Sequence, residues 1–373
     1  MAEAIIFETI ENRPPPRRVG GPLQWIQERF FGSVTNTLIT LVCIYMLYVL
    51  IPPIINWVII DANISGTDRS VCDANPGGAC WTFIKVRFDQ LIFGLFFSAN
   101  PDQLWRPITV FAVLGGMIAW LVMPVTPNKR EVGIFALFGF PVFAYTLIEG
   151  SLFGLPAAHT NEWGGFMLNI SLAYIGIAAS LPIGIVLALG RRSELPVIRT
   201  LSVSYIEFWR GAPLITVLFM SSVMLPLFFP SGVEFNKVVR AMIAITLFEA
   251  AYAAEVVRGG LQAIPKGQFE AADALGLSYW KKMSLIVLPQ SLKISIPGIV
   301  NTFISLFKDT SLVAIIGLLD ILNSAQNASR AFEWKGYDIE ALIFAAFIFW
   351  ICTYSMSRYS HSVERRLDRS KRS

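Results

Sequence analysis

Charge is what this sequence has least of. Only 15% of its 373 residues are Asp, Glu, Lys or Arg, while 54% are hydrophobic; an average soluble domain carries roughly 25% charged residues. That balance excludes an ordinary soluble domain and points to a membrane protein. A net charge of +4 is too small to recruit nucleic acid. Histidine is reduced to His159 and His361, so no cluster has metal-ligand spacing and no metal site is expected. No G-x-x-x-x-G-K-[ST] run is present, and Gly259-Gly260 and Asn75 to Gly78 are too short to cradle phosphate. The chain is therefore not expected to hydrolyse ATP itself. With no hydrolytic constellation either, the expectation is a protein that is not an enzyme and holds no cofactor of its own. The first thirty-odd residues include Arg13-Pro14-Pro15-Pro16-Arg17-Arg18 and lack an apolar core, so they read as a polar tail, not a cleavable signal peptide.

What the chain does have is long apolar runs. A spanning helix needs about twenty apolar residues, and eight runs approach that length: Asn36–Ile60, Leu104–Met123, Val132–Phe153, Phe166–Leu189, Ser204–Phe229, Val238–Val257, Ile294–Leu318 and Ile339–Tyr359. Lys and Arg in short connecting loops set the orientation. Arg13, Arg17 and Arg18, Lys129-Arg130, Arg191-Arg192 with Arg199, the stretch from Arg258 to Lys282, and Arg365 to Arg372 all fall on one side. Both termini are thus expected in the cytoplasm. The loops around Cys72 to Cys80, His159 to Gly165, Ser231 to Glu234 and Asn323 to Asp338 fall on the other side. The segment Lys85 to Asn100 is apolar yet carries Lys85, Arg87 and Asp89, and is expected to be interfacial or re-entrant. Cys43 and Cys352 lie inside apolar runs, whereas Cys72 and Cys80 share the polar loop VCDANPGGAC. Its turn-forming Asn75-Pro76-Gly77-Gly78 can bring the two thiols together, and outside the cytoplasm a disulfide is expected.

The most informative stretch is the loop after the sixth run, Glu270 to Pro289, EAADALGLSYWKKMSLIVLP. Pro265 and Gly267 turn the chain, a short helix restarts at about Gln268, and Gly276 suits a left-handed helix end. Ala271, Ala274 and Leu275 can share one face, Glu270 and Asp273 lie near the helix start, and Ser278 can cap the next turn. Lys281 and Lys282 read as loop charge. This stretch resembles, position for position, the EAA loop of permease subunits of binding-protein-dependent ABC importers: EAA, a glycine four residues later, then I-x-L-P. In that family the loop is the coupling helix seated on the ATPase. The resemblance implies that Glu270, Ala271, Ala272, Asp273, Leu275 and Gly276 meet an ATPase, with Pro265 and Pro289 shaping the loop.

Ionisable residues inside spans cost several kcal/mol and usually face protein or water. In the fifth run, IEFWRGAPL sets Glu207 and Arg210 three apart on one helical face, able to pair, and Pro213 bends or opens the helix. The E-x-x-R-x-x-P-L pattern resembles the polar amino acid branch of the importer family. In the sixth run, LFEAAYAAEVVRGG, Glu249 and Tyr252 recur along one face, and Glu249 lies roughly 16 Å from the helix start, near mid-membrane. Glu255 and Arg258 are expected to pair with each other or with the loop. In the seventh run, Lys308-Asp309-Thr310-Ser311-Leu312 resembles the K-D-T-S-L of amino acid permeases. Neighbouring side chains on a helix diverge by about 100°, so Lys308 and Asp309 cannot share one narrow pore, and Glu249 is paired with Lys308 as a guess. For Glu207, Arg210, Glu249, Lys308, Asp309, Thr310 and Ser311, lining the path or gating it stands beside a purely structural role.

These readings give an all-α polytopic protein of about eight spans. It comprises a cytoplasmic tail (1–35), a three-span extension with an extracytoplasmic loop (36–160), a five-helix permease core (161–360) with its coupling loop at 258–292, and a basic tail (361–373). The extended form resembles the longer permease of general L-amino acid uptake systems. That likeness implies P-loop ATPase partners holding ATP and Mg, a second related permease, a periplasmic amino acid binding protein, and residence in a bacterial inner membrane. An ion-coupled secondary transporter using the buried acids, or a receptor-like membrane protein, is the alternative. Which amino acids are carried, and whether the permease pair is a heterodimer or homodimer, is not readable from the sequence.

Overall fold

The computed structural model describes residues 21–123, 125–228, 230 and 236–372, and every regular element among them is a helix. The expected tail before residue 21 and the loop Ser231 to Glu234 lie outside the described residues. Among the described residues, six helices are long and apolar enough to cross a membrane. Chain contacts divide the protein into two units, one running up to Asn63 and including Ser70–Ala79, the other holding Ile64–Arg69 and Cys80 onward.

The first unit is built on α1 (Val34–Ile55), which Ser33 caps through the Asn36 N–H and which continues as a π turn, Asn56–Ile60. None of its residues is buried, as expected of a helix bathed in hydrocarbon on all sides. The polar turn after it is held by its own chain. Asn75 donates to the Asp61 carbonyl at 3.0 Å, Asn63 to the Asn75 carbonyl at 2.9 Å, and the Ala79 N–H to the Trp57 carbonyl at 2.8 Å.

In the second unit, the segment Lys85 to Asn100, expected to be interfacial or re-entrant, lies in a run of three short helices, Trp81–Val86, Phe88–Phe93 and Leu95–Ala99. Phe83, Leu91 and Phe97 are fully buried, so this run packs against protein. The next two runs form α2 (Trp105–Val122) and a helix from Lys129 whose last part is α3 (Phe140–Glu149). Arg106 is fully buried and clasps the end of α3, donating to the carbonyls of Leu147 at 2.9 Å, Pro156 at 3.0 Å and Ile148. A buried arginine survives here because its N–H groups meet backbone carbonyls, two of them freed by the end of α3 and one from the loop that follows.

The centre of this unit is α4 (Gly165–Arg191) against α7 (Lys237–Gln262). Gly184 permits their close approach: a Cβ there would meet the Ala253 Cβ at 2.7 Å, and small residues at such crossings let helices gain dispersion contact in a solvent that gives no hydrophobic push. The expected single span Ser204–Phe229 is two helices, α5 (Pro196–Gly211) and α6 (Leu214–Val223), broken at Ala212-Pro213, where Pro213 lies in the extended region. Proline there withholds an N–H and clashes with the preceding turn. The loop helix is α8 (Lys266–Ala274), starting slightly before the expected Gln268. After it come α9 (Leu288–Asp309), a tightened turn Thr310–Ile316, α10 (Ile321–Arg330) and α11 (Asp338–Arg372). One apolar core joins Val110 and Phe140 to Met167, Leu172, Ile245 and Leu306, so α2 and α3 pack into the same unit as the helices after residue 160.

Candidate coupling surface and membrane path

The loop after α7 is shaped by its two ends. Pro265 in the extended region starts α8, and Gly276, at φ +68°, ends it. The Leu277 N–H reaches back to the Ala272 carbonyl at 3.2 Å and the Gly276 N–H to the Asp273 carbonyl at 2.9 Å, the paired bonds of a Schellman end. Only glycine takes that left-handed turn without strain. Ala272 is fully buried and seats α8, while Glu270, Ala271, Asp273 and Gly276 are exposed. Leu275 is 75% and Trp280 72% exposed. Two smaller expectations fail: Ser278 makes no side-chain cap, and Lys282 is no idle loop charge, since it pairs with Asp273. Arg192 lies 5.6 Å over the Phe269 ring and donates to the Leu261 carbonyl at 2.9 Å, tying the loop to the end of α4. Pro289 is an exposed residue that follows the π turn Met283–Val287 and opens α9.

The expected pair Glu207 and Arg210 does not form. Glu207 instead meets Arg191 at the end of α4, at 2.9 Å, while Arg210 meets Glu255 on α7 at 3.6 Å. Glu255 also accepts from Arg191 and Arg258, both at 2.8 Å, so one half-buried carboxylate gathers three guanidinium groups from α4, α5 and α7. Side chains three apart on a helix do become neighbours, but a partner on another helix wins when it brings more charge to a less solvated acid. The expected Glu255–Arg258 pair is therefore part of a larger network, and Arg191 is the member that sequence spacing does not reveal. Arg210 lies 5.7 Å over the Tyr252 ring.

Tyr252, one turn before Glu255, lines a cavity of about 490 Å³ between α6, α7 and α9. Glu249, Asp309, Asn301, Thr302 and Ser305 also line it. Glu249 is 4% exposed, and its Oε1 has no hydrogen-bond partner. The guessed Glu249–Lys308 pair is absent: Lys308 is exposed and outside the cavity lining, because the 100° step along α9 turns its neighbour Asp309 inward. Two acids thus share the cavity. Thr310 is buried in protein, accepting from Asn169 Nδ2 at 3.0 Å and donating to the Phe307 carbonyl at 2.7 Å; the Ser311 hydroxyl donates to the Lys308 carbonyl at 2.9 Å. Asn169 also accepts the Ile321 N–H at 2.9 Å, and Asp320 caps α10 through the Asn323 N–H at 3.0 Å. Burial pushes the Asp320 carboxyl above its usual range, against the pull of its hydrogen bonds. Asn169 and Asp320 were not singled out by sequence, since each looks like an ordinary polar residue near a helix start.

Residues 180–369 match the family described as binding-protein-dependent transport system inner membrane component. The chain is 47% identical over 361 residues to the inner membrane amino-acid ABC transporter permease protein YhdY of Escherichia coli (strain K12), covering 95% of this chain and 96% of that one. It is 38% identical over 425 residues to the glutamate/glutamine/aspartate/asparagine transport system permease protein BztC of Rhodobacter capsulatus, covering 98% of each. A solved amino acid ABC transporter with histidines aligns at 28% identity with a TM-score of 0.47, over 54% of this chain and 92% of that one. The chain belongs to the family of binding-protein-dependent transport system inner membrane components.

Proposed function

We propose that this chain is a permease subunit of an ATP-driven amino acid importer, forming half of the membrane path and receiving its energy through the loop Glu270 to Pro289. The observation that carries the reading is α8: a short helix closed by a left-handed glycine, anchored by buried Ala272, with Leu275 and Trp280 left exposed beside Glu270 and Ala271. A rigid plug with an uncovered apolar tip fits a groove on a partner. The partners in this reading are P-loop ATPase subunits, which hold ATP and Mg, a second related permease, and a periplasmic binding protein that delivers the amino acid. Both termini face the cytoplasm of a bacterial cell.

Transport then follows from preference. The loaded binding protein favours one permease conformation, and closure of the ATPase pair drags α8 toward another. The two sites couple only as strongly as their ligands discriminate between states. Glu249 and Asp309 are the acceptors for the substrate ammonium, and Asn301, Thr302 and Ser305, on the same cavity wall, supply donors for its carboxylate. Glu207 and Arg210, joined through Arg191 and Glu255, hold the cytoplasmic end closed, while Thr310 and Ser311 brace the helix that carries Asp309. Cys72 and Cys80, both buried, form a disulfide on the periplasmic side; alkylation before and after reduction, read as a mass shift, checks it.

The test is to isolate the chain from its native membrane in mild detergent and identify what accompanies it by mass spectrometry. An ATPase with a second permease supports the heteromeric importer, and an ATPase with this chain alone makes it a homodimer. Recovery of no ATPase from an intact complex overturns the reading. The shared cavity of Glu249 and Asp309 would then favour an ion-coupled secondary transporter, whose uptake survives loss of the ATPase.

A further inference from the structure

Whether Asp309 or Lys308 faces the cavity is decided in the last turn of α9. Asn301, Thr302, Ser305 and Asp309 line the cavity, with the spacing of one helical face. Lys308 lies one residue, about 100°, off that face, so turning the helix end by one such step exchanges a carboxylate for an ammonium. Beyond Asp309 the helix tightens into the turn Thr310–Ile316, and no regular α turn follows to hold the rotation. Just before it Leu306 and Phe307 are buried, and the Phe307 ring lies 6.3 Å from that of Phe166 and 5.3 Å from that of Phe349. Apolar contacts of this kind press the helix inward without fixing a direction.

The directed contact comes from Asn169. It stands one turn into α4, fully buried, and both ends of its amide are engaged. Nδ2 donates to the Thr310 hydroxyl at 3.0 Å and to Asp320 Oδ2 at 3.5 Å, while Oδ1 accepts the Ile321 N–H at 2.9 Å. An amide has donors at one end and an acceptor at the other, and hydrogen bonds weaken steeply away from their preferred angle, so this set of partners admits one orientation. Its frame is tied in the same way. The Gly165 N–H and the Ser324 hydroxyl both donate to the Leu319 carbonyl, at 2.8 and 2.9 Å, and Asp320 accepts the N–H groups of Leu322 at 3.3 Å and Asn323 at 3.0 Å. Thr310, itself fully buried, is thereby pinned to α4, and Asp309, one step round the helix, is left facing the cavity.

On the reading that Asp309 accepts the substrate ammonium, we propose that Asn169 is a positioning residue for that site: by holding Thr310 it fixes the rotation at which α9 presents Asp309, and not Lys308, to the cavity. Asn169 is no part of the cavity wall and acts only through Thr310 and its neighbour.

The experiment measures how fast a membrane-permeant maleimide modifies single introduced cysteines in the full chain, in its native membrane, with the free thiols Cys43 and Cys352 removed. Asp309→Cys reports the aim, Lys308→Cys the position beside it, and Thr302→Cys, on the same cavity wall, the openness of the cavity. Adding Asn169→Leu is expected to lower the rate at Asp309→Cys, relative to Thr302→Cys, about tenfold, and to raise the relative rate at Lys308→Cys. Thr310→Val should do the same, whereas Thr310→Ser, which keeps the hydroxyl, should preserve the parent ratio. A role confined to stability would move all three sites together. A ratio within about twofold of the parent in Asn169→Leu overturns the proposal, as does a change shared equally by Thr302→Cys, or a loss in Thr310→Ser equal to that in Thr310→Val. Where Asn169→Leu fails to insert, Thr310→Val against Thr310→Ser decides by itself. Uptake by a chain carrying Asp309→Asn alone checks the acceptor reading separately: unchanged uptake removes that reading, and the thiol ratios still decide what aims residue 309.

Discussion

Replacing Glu255 with Gln removes the one charge that gathers Arg191, Arg210 and Arg258. The Glu255 side chain is 15% exposed, and those of Arg191, Arg258 and Arg210 are 24%, 29% and 36% exposed. Breaking a fully buried pair costs about 3–5 kcal/mol, whereas an exposed pair contributes about 0.2–1 kcal/mol. Discounting for the wet arginine side, and giving the 3.6 Å contact to Arg210 little weight, leaves about 2 kcal/mol. If that energy holds the ends of α4, α5 and α7 together, losing it raises the open fraction roughly 30-fold. The assay is the rate at which a membrane-impermeant thiol reagent, added on the side where α4 ends, modifies Thr302→Cys in a chain lacking Cys43 and Cys352. Thr302 lines the cavity beyond the network, and those two cysteines are free thiols. Modification of the Glu255→Gln chain is expected to be 10- to 30-fold faster at low salt, with the difference shrinking as salt screens the remaining charges. A rate within about twofold of the parent at low salt would refute the idea that this network closes the path.

Gly276→Val places a β-branched residue at φ +68°, costing about 1–2 kcal/mol locally; the chain should insert and keep its unfolding temperature while substrate-stimulated ATPase activity of the assembled transporter and uptake both fall. Glu249→Gln replaces a buried carboxyl whose Oε1 has no partner, so thermal stability should hold or rise while uptake of a zwitterionic amino acid drops; unchanged uptake would make the acid structural. Arg106→Met leaves the carbonyls of Leu147, Ile148 and Pro156 unmatched at about 1–3 kcal/mol for each buried group. Its unfolding midpoint should drop sharply, and Arg106→Lys, with one nitrogen to serve three carbonyls, should not restore it.

The helices, the membrane environment and the short loop helix closed by Gly276 were legible because each is written locally. Apolar runs of about twenty residues favour helices long enough to span, and the stop at Gly276 follows from what glycine alone tolerates. The break at Pro213 was foreseen for the same reason. Pairings were not legible where the partners are far apart in the chain. Glu207 and Arg210 satisfy helical spacing, yet each found a partner on another helix, and Lys308 lost Glu249 because α9 turned Asp309 toward the cavity instead. Arg106, which the sequence did not single out, is the clasp on α3.

The sequence by itself determined that this chain is a bundle of membrane helices with a compact, exposed helix in the loop after α7. Those properties depend on composition, on apolar run length, and on proline and glycine at fixed places. Only the tertiary structure decided which acids meet which arginines, that Glu249 and Asp309 share one cavity, that Ala272 and not Ala271 seats α8, and that α2 and α3 pack into the same core as α4 and α7. A side chain's partner is set by how its helix is rotated and which helices lie beside it, and in a membrane that rotation rests on small residues such as Gly184 and on the close packing they permit.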